Sequence, residues 1–304
     1  MIQTQPGKIT DNLYMLATAE MPAYLLVGET SVLFDAGIAC MGPYYEKEIR
    51  GILGDRGPDM AVFTHSHFDH CGALSYLKSV FPEMRIGGSG IAAGILKREN
   101  AIRTMQTLSE ATRQAMCLEW GTEIPELPFE PVEVDTILAE GDEIRISGDV
   151  VVQVLETPGH TRDFLSFYIP GEQILVPSEA VGIPDLSGHI YCDFLVDYDM
   201  YHGSLSRLAE LPVDVLCLGH GAVLTGLDAW GFAKKALAQC EAFRTYVERL
   251  LLREGGDTEK VMEMIKVEEY DPKPQPKQAE PAYLMNLRAR VSVVANAMAA
   301  ATRQ

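Results

Sequence analysis

Met60-Ala61-Val62-Phe63-Thr64-His65-Ser66-His67-Phe68-Asp69-His70 is the stretch on which the reading of this chain turns. Four apolar residues form a short strand that runs straight into a loop. That loop carries three of the chain's seven histidines, with an aspartate among them. Side chains alternate across extended backbone, so His65 and His67 point to the same side. Asp69 and His70 follow once the chain has turned and face a second point nearby. Imidazole with carboxylate is the ligand set of zinc, iron or manganese. Two more histidines also follow apolar strands at tight glycine turns. His160 comes after Val150–Glu156 in Thr157-Pro158-Gly159-His160, and His220 after Asp214–Leu218 in Gly219-His220-Gly221. The flanking glycines permit the backbone angles that let a loop ligand reach inward.

Outward from that run, the pattern is layered. Leu13–Thr18, Ala23–Gly28 and Ser31–Asp35 read as strands, and Tyr44–Leu53 as a helix stopped by Gly54 and Gly57-Pro58. A helix over Gly72–Val80 leaves the histidine loop, and Met84–Gly87 is a further strand. Residues 89–120 carry long helix-forming side chains, expected as two helices. Strands return from Val132 to Val176, the clearest being Val150–Glu156, Phe164–Ile169 and Gln173–Val176. A helix near Tyr201–Leu211 leads to the buried strand Asp214–Leu218. After Leu227 the alternation stops, and Ala229–Arg253, Thr258–Val267 and Pro281–Thr302 read as helices, with the proline-rich linker Asp271–Lys277 between the last two. Strand-rich and helical stretches recur in two comparable halves, which favours a layered α/β architecture over a bundle or a β-sandwich.

Composition narrows the function. The 304 residues carry a formal charge of −18, which disfavours a polyanionic partner because no basic stripe exists to neutralise phosphates. No apolar stretch approaches the length of a membrane span, and Met1–Thr10 lacks the pattern of a secretory leader. Six scattered cysteines without a C-x-x-C pair fit buried thiols in a reducing compartment, so a cytoplasmic location is expected.

The His65-x-His67-x-Asp69-His70 run, with His160 and His220 at these distances, resembles the metallo-β-lactamase superfamily over residues 8 to 227. The resemblance implies an αββα sandwich with a metal site at one edge, formed by a domain at 1–227 with a helical insertion at about 89–120. Residues 228–304 are then a C-terminal helical region packed on it. It also implies two divalent metal ions, zinc or iron or manganese. His65, His67 and His160 would hold one, and Asp69, His70 and His220 the other. The family's bridging aspartate is replaced here by Glu179, in Pro177-Ser178-Glu179-Ala180. One extra methylene moves the carboxylate outward by ~1.5 Å. Glu179 then bridges after a loop adjustment, binds one metal only, or swings away and weakens the second site. Asp35, in Leu33-Phe34-Asp35-Ala36-Gly37, matches the family's aspartate after a strand and is either a support for a ligand or a turn cap. Asp163 and Arg162, just after His160, are placed to reach the site rim, but read better as a solvated pair.

Such a centre makes hydroxide available between two metals near neutral pH and polarises a carbonyl, with Asp69 orienting the nucleophile while ligating. Hydrolysis of an ester or thioester of a small acyl or aromatic substrate fits it most directly. Gly182 stands where lactone-opening relatives place a tyrosine, and the charge conflicts with the nuclease branches. Length, the 89–120 insertion and the C-terminal helices resemble the branch that contains the quinolone signal response protein, a thioesterase-type member. Met105 and Trp120, with Tyr283 and Met285, are candidates to line an apolar pocket, and the same helices are candidates for a homodimer interface. The alternative is a regulatory or binding module of the same fold, with a degenerate Glu179 site and little turnover.

Overall fold

Alternation along the first strands sets the layering. Leu13, Met15, Tyr24, Leu26, Val32, Phe34, Met60 and Val62 pack into one apolar cluster. Leu16, Ala23, Leu25, Leu33, Ala61 and Phe63, their neighbours in sequence, pack into another. Strands buried on both faces read as unbroken apolar runs, which is why these segments are so uniformly hydrophobic.

The computed structural model describes residues 1–274 and 277–301. From the N-terminus the elements are β1 (Ile2–Gln3), β2 (Gly7–Lys8), β3 (Leu13–Leu16), β4 (Ala23–Leu26), β5 (Val32–Phe34), α1 (Gly42–Leu53) and β6 (Met60–Val62). Next come α2 (Phe68–Cys71), α3 (Leu74–Val80), β7 (Arg85–Ser89), α4 (Gly90–Ile95), α5 (Glu99–Trp120), β8 (Thr136–Leu138) and β9 (Glu143–Ser147). Then follow β10 (Val150–Glu156), β11 (Leu165–Ile169), β12 (Ile174–Val176), β13 (Ile183–Pro184), β14 (Ile190–Tyr191) and α6 (Tyr198–Leu208). The chain ends through β15 (Val215–Cys217), β16 (Val223–Thr225), α7 (Phe232–Arg253), α8 (Thr258–Ile265) and α9 (Glu280–Ala301). Gln275 and Pro276 of the expected linker, and Thr302 of the expected last helix, lie outside the described residues.

The chain divides into two units: Met1–Glu156 with Asp163–Ser178 and Pro212–Ala229, and Thr157–Arg162 with Glu179–Leu211 and Trp230 onward. The first unit contains two seven-stranded sheets, ordered β2-β3-β4-β5-β6-β7-β8 and β1-β16-β15-β12-β11-β10-β9. The cluster of Leu13, Tyr24, Phe34 and Val62 meets Val152, Val154, Phe167, Val176 and Cys217 between the sheets. The second cluster joins the first sheet to α1, α3 and α5 through Tyr45, Ile49, Leu74, Leu77, Met105 and Met116. Strands β5, β6, β7 and β8 run parallel in one sheet, as do β12 and β15 in the other, so within each sheet these C-terminal ends lie along one edge. Loops at such edges are where α/β sheets place ligands.

The second unit holds the hairpin β13–β14 and helices α6 to α9. Helix α6 starts at Asp197, whose side chain accepts from Met200 N–H, and α8 at Asp257, which accepts from Lys260 N–H. The C-terminal helical region expected from 228 is therefore only part of this unit, which also takes in 157–162 and 179–211. The reason is polar: Arg290 of α9 is 1% exposed, its Nε lies 3.5 Å from Asp193 Oδ1, and its guanidinium donates to Glu269 Oε2 at 3.1 Å. Tyr283 donates to the same Glu269 oxygen at 2.8 Å, and His189 Nε2 lies 3.3 Å from its other oxygen. A cation this buried stays only because it is paired. Among the described residues no helix is long and apolar enough to cross a membrane.

Burial alone would push the Glu269 carboxyl up, but the Arg290 charge and the His189 and Tyr283 bonds bring it down to about 2. A carboxyl lowered on folding stabilises above its ordinary range, and that contribution fades as pH falls toward 2. The contribution is on the order of 3 kcal/mol, of which roughly 2 kcal/mol is gone by pH 3. Urea unfolding of metal-free protein should therefore show Glu269→Gln less stable at pH 7 and flatter between pH 5 and pH 3 than the wild type. Parallel pH profiles would remove Glu269 from the account.

Candidate metal centre

The histidine loop leaves β6 with its backbone tied on both sides. Thr64 N–H donates to Asp35 Oδ1 at 2.7 Å, and the Thr64 hydroxyl lies 3.0 and 3.1 Å from the two Asp35 oxygens. Leu165 N–H donates to Thr64 O at 2.7 Å, and Ser66 N–H to Asp163 Oδ2 at 2.8 Å. Asp163 is buried and does not form the solvated pair read from the sequence, while Arg162 is exposed. Its partner lies 97 residues away, so no local pattern announces it.

Asp35 also fixes His70, whose Nδ1 stands 3.0 Å from Asp35 Oδ2. A carboxylate only accepts at neutral pH, so Nδ1 carries the proton and Nε2 keeps its lone pair for a metal. Asp35 itself sits at φ +56°, a left-handed backbone that aspartate tolerates better than most residues. The loop around it is zipped to the end of the histidine run: Ala36 N–H donates to His70 O, Gly72 N–H to Gly37 O and Ala73 N–H to Ala36 O. Gly72 is required there, because a Cβ would stand 2.3 Å from Phe68 O and 2.7 Å from Gly37 O.

His220 reaches the same place from β15. Gly221 N–H donates to Ala19 O and Tyr24 Oη donates to Leu218 O, which pins its turn. Its Nδ1 donates to the Glu20 carbonyl at 2.6 Å, so its Nε2 again keeps the lone pair. Nε2 of His220 and of His70 lie 3.7 and 3.9 Å from Asp69 Oδ2. One ligand atom from each of these three residues lies within 4.8 Å of the others. Ligands about 2.1 Å from a tetrahedral zinc are ~3.4 Å apart, so each imidazole stands within about half an ångström of the separation from Asp69 that a shared metal requires.

The rings of His65 and His67 lie 4.4 Å apart, brought together by a bend over residues 64–66 and not by the extended backbone expected there. His65 stacks on Phe164 at 4.5 Å and has Nδ1 3.0 Å from the Thr64 hydroxyl. Cys71 packs in the apolar cluster, and its buried thiol, with Asp35, Asp163 and Asp69 nearby, is pushed well up. Its Sγ donates to His67 O at 3.2 Å.

His160 and Glu179 belong to the second unit. His160 is buried, with Nδ1 2.8 Å from the Asp193 carbonyl. Its loop lies so close to α6 that a Cβ on Gly159 would stand 2.3 Å from Tyr201 Cα. Glu179 is buried in the turn Ser178–Val181, its carbonyl accepting from Tyr201 Oη at 2.8 Å and Gly182 N–H at 2.9 Å. Of the four pocket candidates, Met105 is buried in the first unit's cluster, and Trp120 is exposed at the end of the same helix, about 22 Å further along at 1.5 Å per residue. In the second unit Tyr283 is buried against Tyr270 and Glu269, and Met285 is exposed.

The metallo-β-lactamase superfamily profile matches residues 22–220, about two thirds of the chain. The chain belongs to that superfamily. Superfamily relatives include "Glyoxylase B2" of Dictyostelium discoideum, 25% identical over 52% of this chain and 47% of that protein. The metallo-beta-lactamase fold-containing protein ST1585 of Sulfurisphaera tokodaii is 26% identical over 66% and 73%. Acyl-coenzyme A thioesterase MBLAC2 of Bos taurus is 26% identical over 60% and 64%. A hydroxyacylglutathione hydrolase of Idiomarina loihiensis is 41% identical over 48% and 53%. The match thus spans about half of the first and last of these proteins. Among solved structures, ST1585 superposes with a TM-score of 0.58 over 95% of this chain and 98% of its own, at 19% identity. BJP-1, a subclass B3 metallo-β-lactamase of Bradyrhizobium japonicum, gives 0.57 over 81% and 95%, at 18% identity. These likenesses bear out the αββα sandwich expected from the histidine run.

Removing a ligand's supporting hydrogen bond lowers metal affinity by about 10- to 100-fold. Asp35→Asn should weaken zinc binding by that order in chelator competition while the secondary structure persists. Unchanged affinity would demote Asp35 to a turn cap.

Proposed function

We propose that this chain is a binuclear metallohydrolase acting on an ester or thioester of a small acyl or aromatic substrate. The observation that carries this reading is the convergence of Asp69, His70 and His220, two imidazoles with their Nε2 atoms turned to one carboxylate. His65, His67 and His160 are assigned to one metal by the motif, and Glu179 to the bridging position. Chain connectivity supports both additions. His160 lies three residues before Asp163, which holds the Ser66 amide, and Glu179 directly follows Ser178, whose Oγ is 3.4 Å from His70 Nδ1. When bound, zinc or a similar ion lowers the pKa of water to near neutrality and polarises an acyl carbonyl.

The protein's own part is orientation. Asp35 and the Glu20 carbonyl fix the tautomers of His70 and His220, and the ties from Asp163 and Leu165 keep the histidine loop from collapsing onto them. Asp69, with one oxygen between the two imidazoles, is placed to hold and orient the attacking water's proton. No serine or cysteine nucleophile is required. The names of MBLAC2, an acyl-coenzyme A thioesterase, and of the hydroxyacylglutathione hydrolase support thioester chemistry. The arrangement resembling the quinolone signal response branch points the same way. Six free cysteines support a reducing, cytoplasmic setting. Glu179 in place of aspartate favours one second reading, a regulatory module with little turnover.

The two readings part on turnover. On aryl esters and acyl thioesters, metal-loaded wild type should turn over, and Asp69→Asn should lose about 100-fold or more in kcat while staying folded. Glu179→Asp should keep or raise that rate. A metal-loaded wild type with no turnover on either substrate class, gaining none in Glu179→Asp, would leave the regulatory module as the reading.

A further inference from the structure

We infer that Asn286 and Arg290 on α9 are positioning residues for the ligand His160, acting through Asp193; this rests on the proposed assignment of His160 to a metal. A carbonyl can only accept, so the 2.8 Å contact from His160 Nδ1 to Asp193 O places the proton on Nδ1 and the lone pair on Nε2. The direction of that carbonyl therefore sets the tautomer and the plane of the ring. Asp193 stands just beyond β14, outside the hairpin ladder, and its carbonyl also accepts from Leu195 N–H at 3.0 Å across a tight turn. That turn is anchored through the Asp193 side chain: Oδ2 accepts from Asn286 Nδ2 at 2.8 Å, and Oδ1 faces Arg290 Nε at 3.5 Å.

Arg290 is itself immobilised. Its guanidinium lies 4.4 Å from the Phe243 ring of α7 and 5.8 Å from the Tyr191 ring of β14, and it bonds Glu269. Asn286 and Arg290 are four residues apart, one turn along the same helix face, so one rigid element grips both carboxylate oxygens. A salt bridge serving only stability needs no particular direction from the Asp193 backbone. Here the same residue spends its carboxylate on α9 and its carbonyl on His160.

The test uses the full chain, with zinc as the probe. Asn286→Ala and Arg290→Met should lower zinc affinity about 10- to 100-fold in chelator competition. In metal-free protein labelled with ¹⁵N-histidine, the His160 Nδ1–H resonance, assigned by its loss in His160→Gln, should disappear into solvent exchange in both variants. Arg290→Lys should recover part of each effect. Arg288→Ala, on the exposed pair with Glu259 and on the opposite face of α9 from the network, should change neither. Should Arg290→Met fail to fold, Asn286→Ala carries the test, since it deletes one neutral hydrogen bond. A folded Asn286→Ala with wild-type zinc affinity and an intact His160 resonance would overturn the inference. If His160→Gln leaves zinc affinity unchanged, it is the ligand assignment of His160 that fails, and the inference falls with it.

Discussion

One buried carboxylate organises the candidate ligand cluster of the first unit. Asp35 takes the Thr64 amide, the Thr64 hydroxyl and His70 Nδ1, and so ties the end of β5 to the exit of the parallel strand β6 and to the His70 ring. Its left-handed backbone costs about 1 kcal/mol or more, which is tolerable because three charge-assisted hydrogen bonds depend on it. Without that tie the histidine loop has no fixed height above the sheet edge. The ties from Asp163 and Leu165 on the other side would then hold only half of it.

The second unit applies the same principle with different parts. His160 takes its direction from a carbonyl, and that carbonyl from a carboxylate gripped by α9. The buried Arg290, Asp193 and Glu269 would be poor value as stability alone, since well-packed apolar residues often do as well at such positions. Their use lies in fixing a backbone segment that no strand or helix controls.

The sequence made the first unit largely legible because its signals are local. Period-two burial, unbroken apolar strands and the His65–His70 run each sit within a dozen residues. The αββα architecture was implied by the family resemblance of that run, and the strands around it fell within a residue or two of their observed ends. What escaped was non-local. Asp163 beside Arg162 looks like a surface pair until the histidine loop, 97 residues earlier, supplies the Ser66 amide. The helical region was expected to begin at 228, but the loops after β10 and β12 join the helices, because their polar groups are satisfied there. Arg290 did leave a signal. Tyr283, Leu287, Val291 and Val294 mark one buried face of α9, and Arg290 falls on it. An arginine on an apolar helical face implies a buried partner.

The account stands on the proposal that the chain binds two metal ions, one of them through Asp69, His70 and His220. The most direct measurement is zinc per chain by elemental analysis after equilibration and removal of excess, on wild type and on His220→Ala. Two ions per wild-type chain and one in the variant are predicted. Fewer than one in the wild type, or the same number in both proteins, would contradict the account.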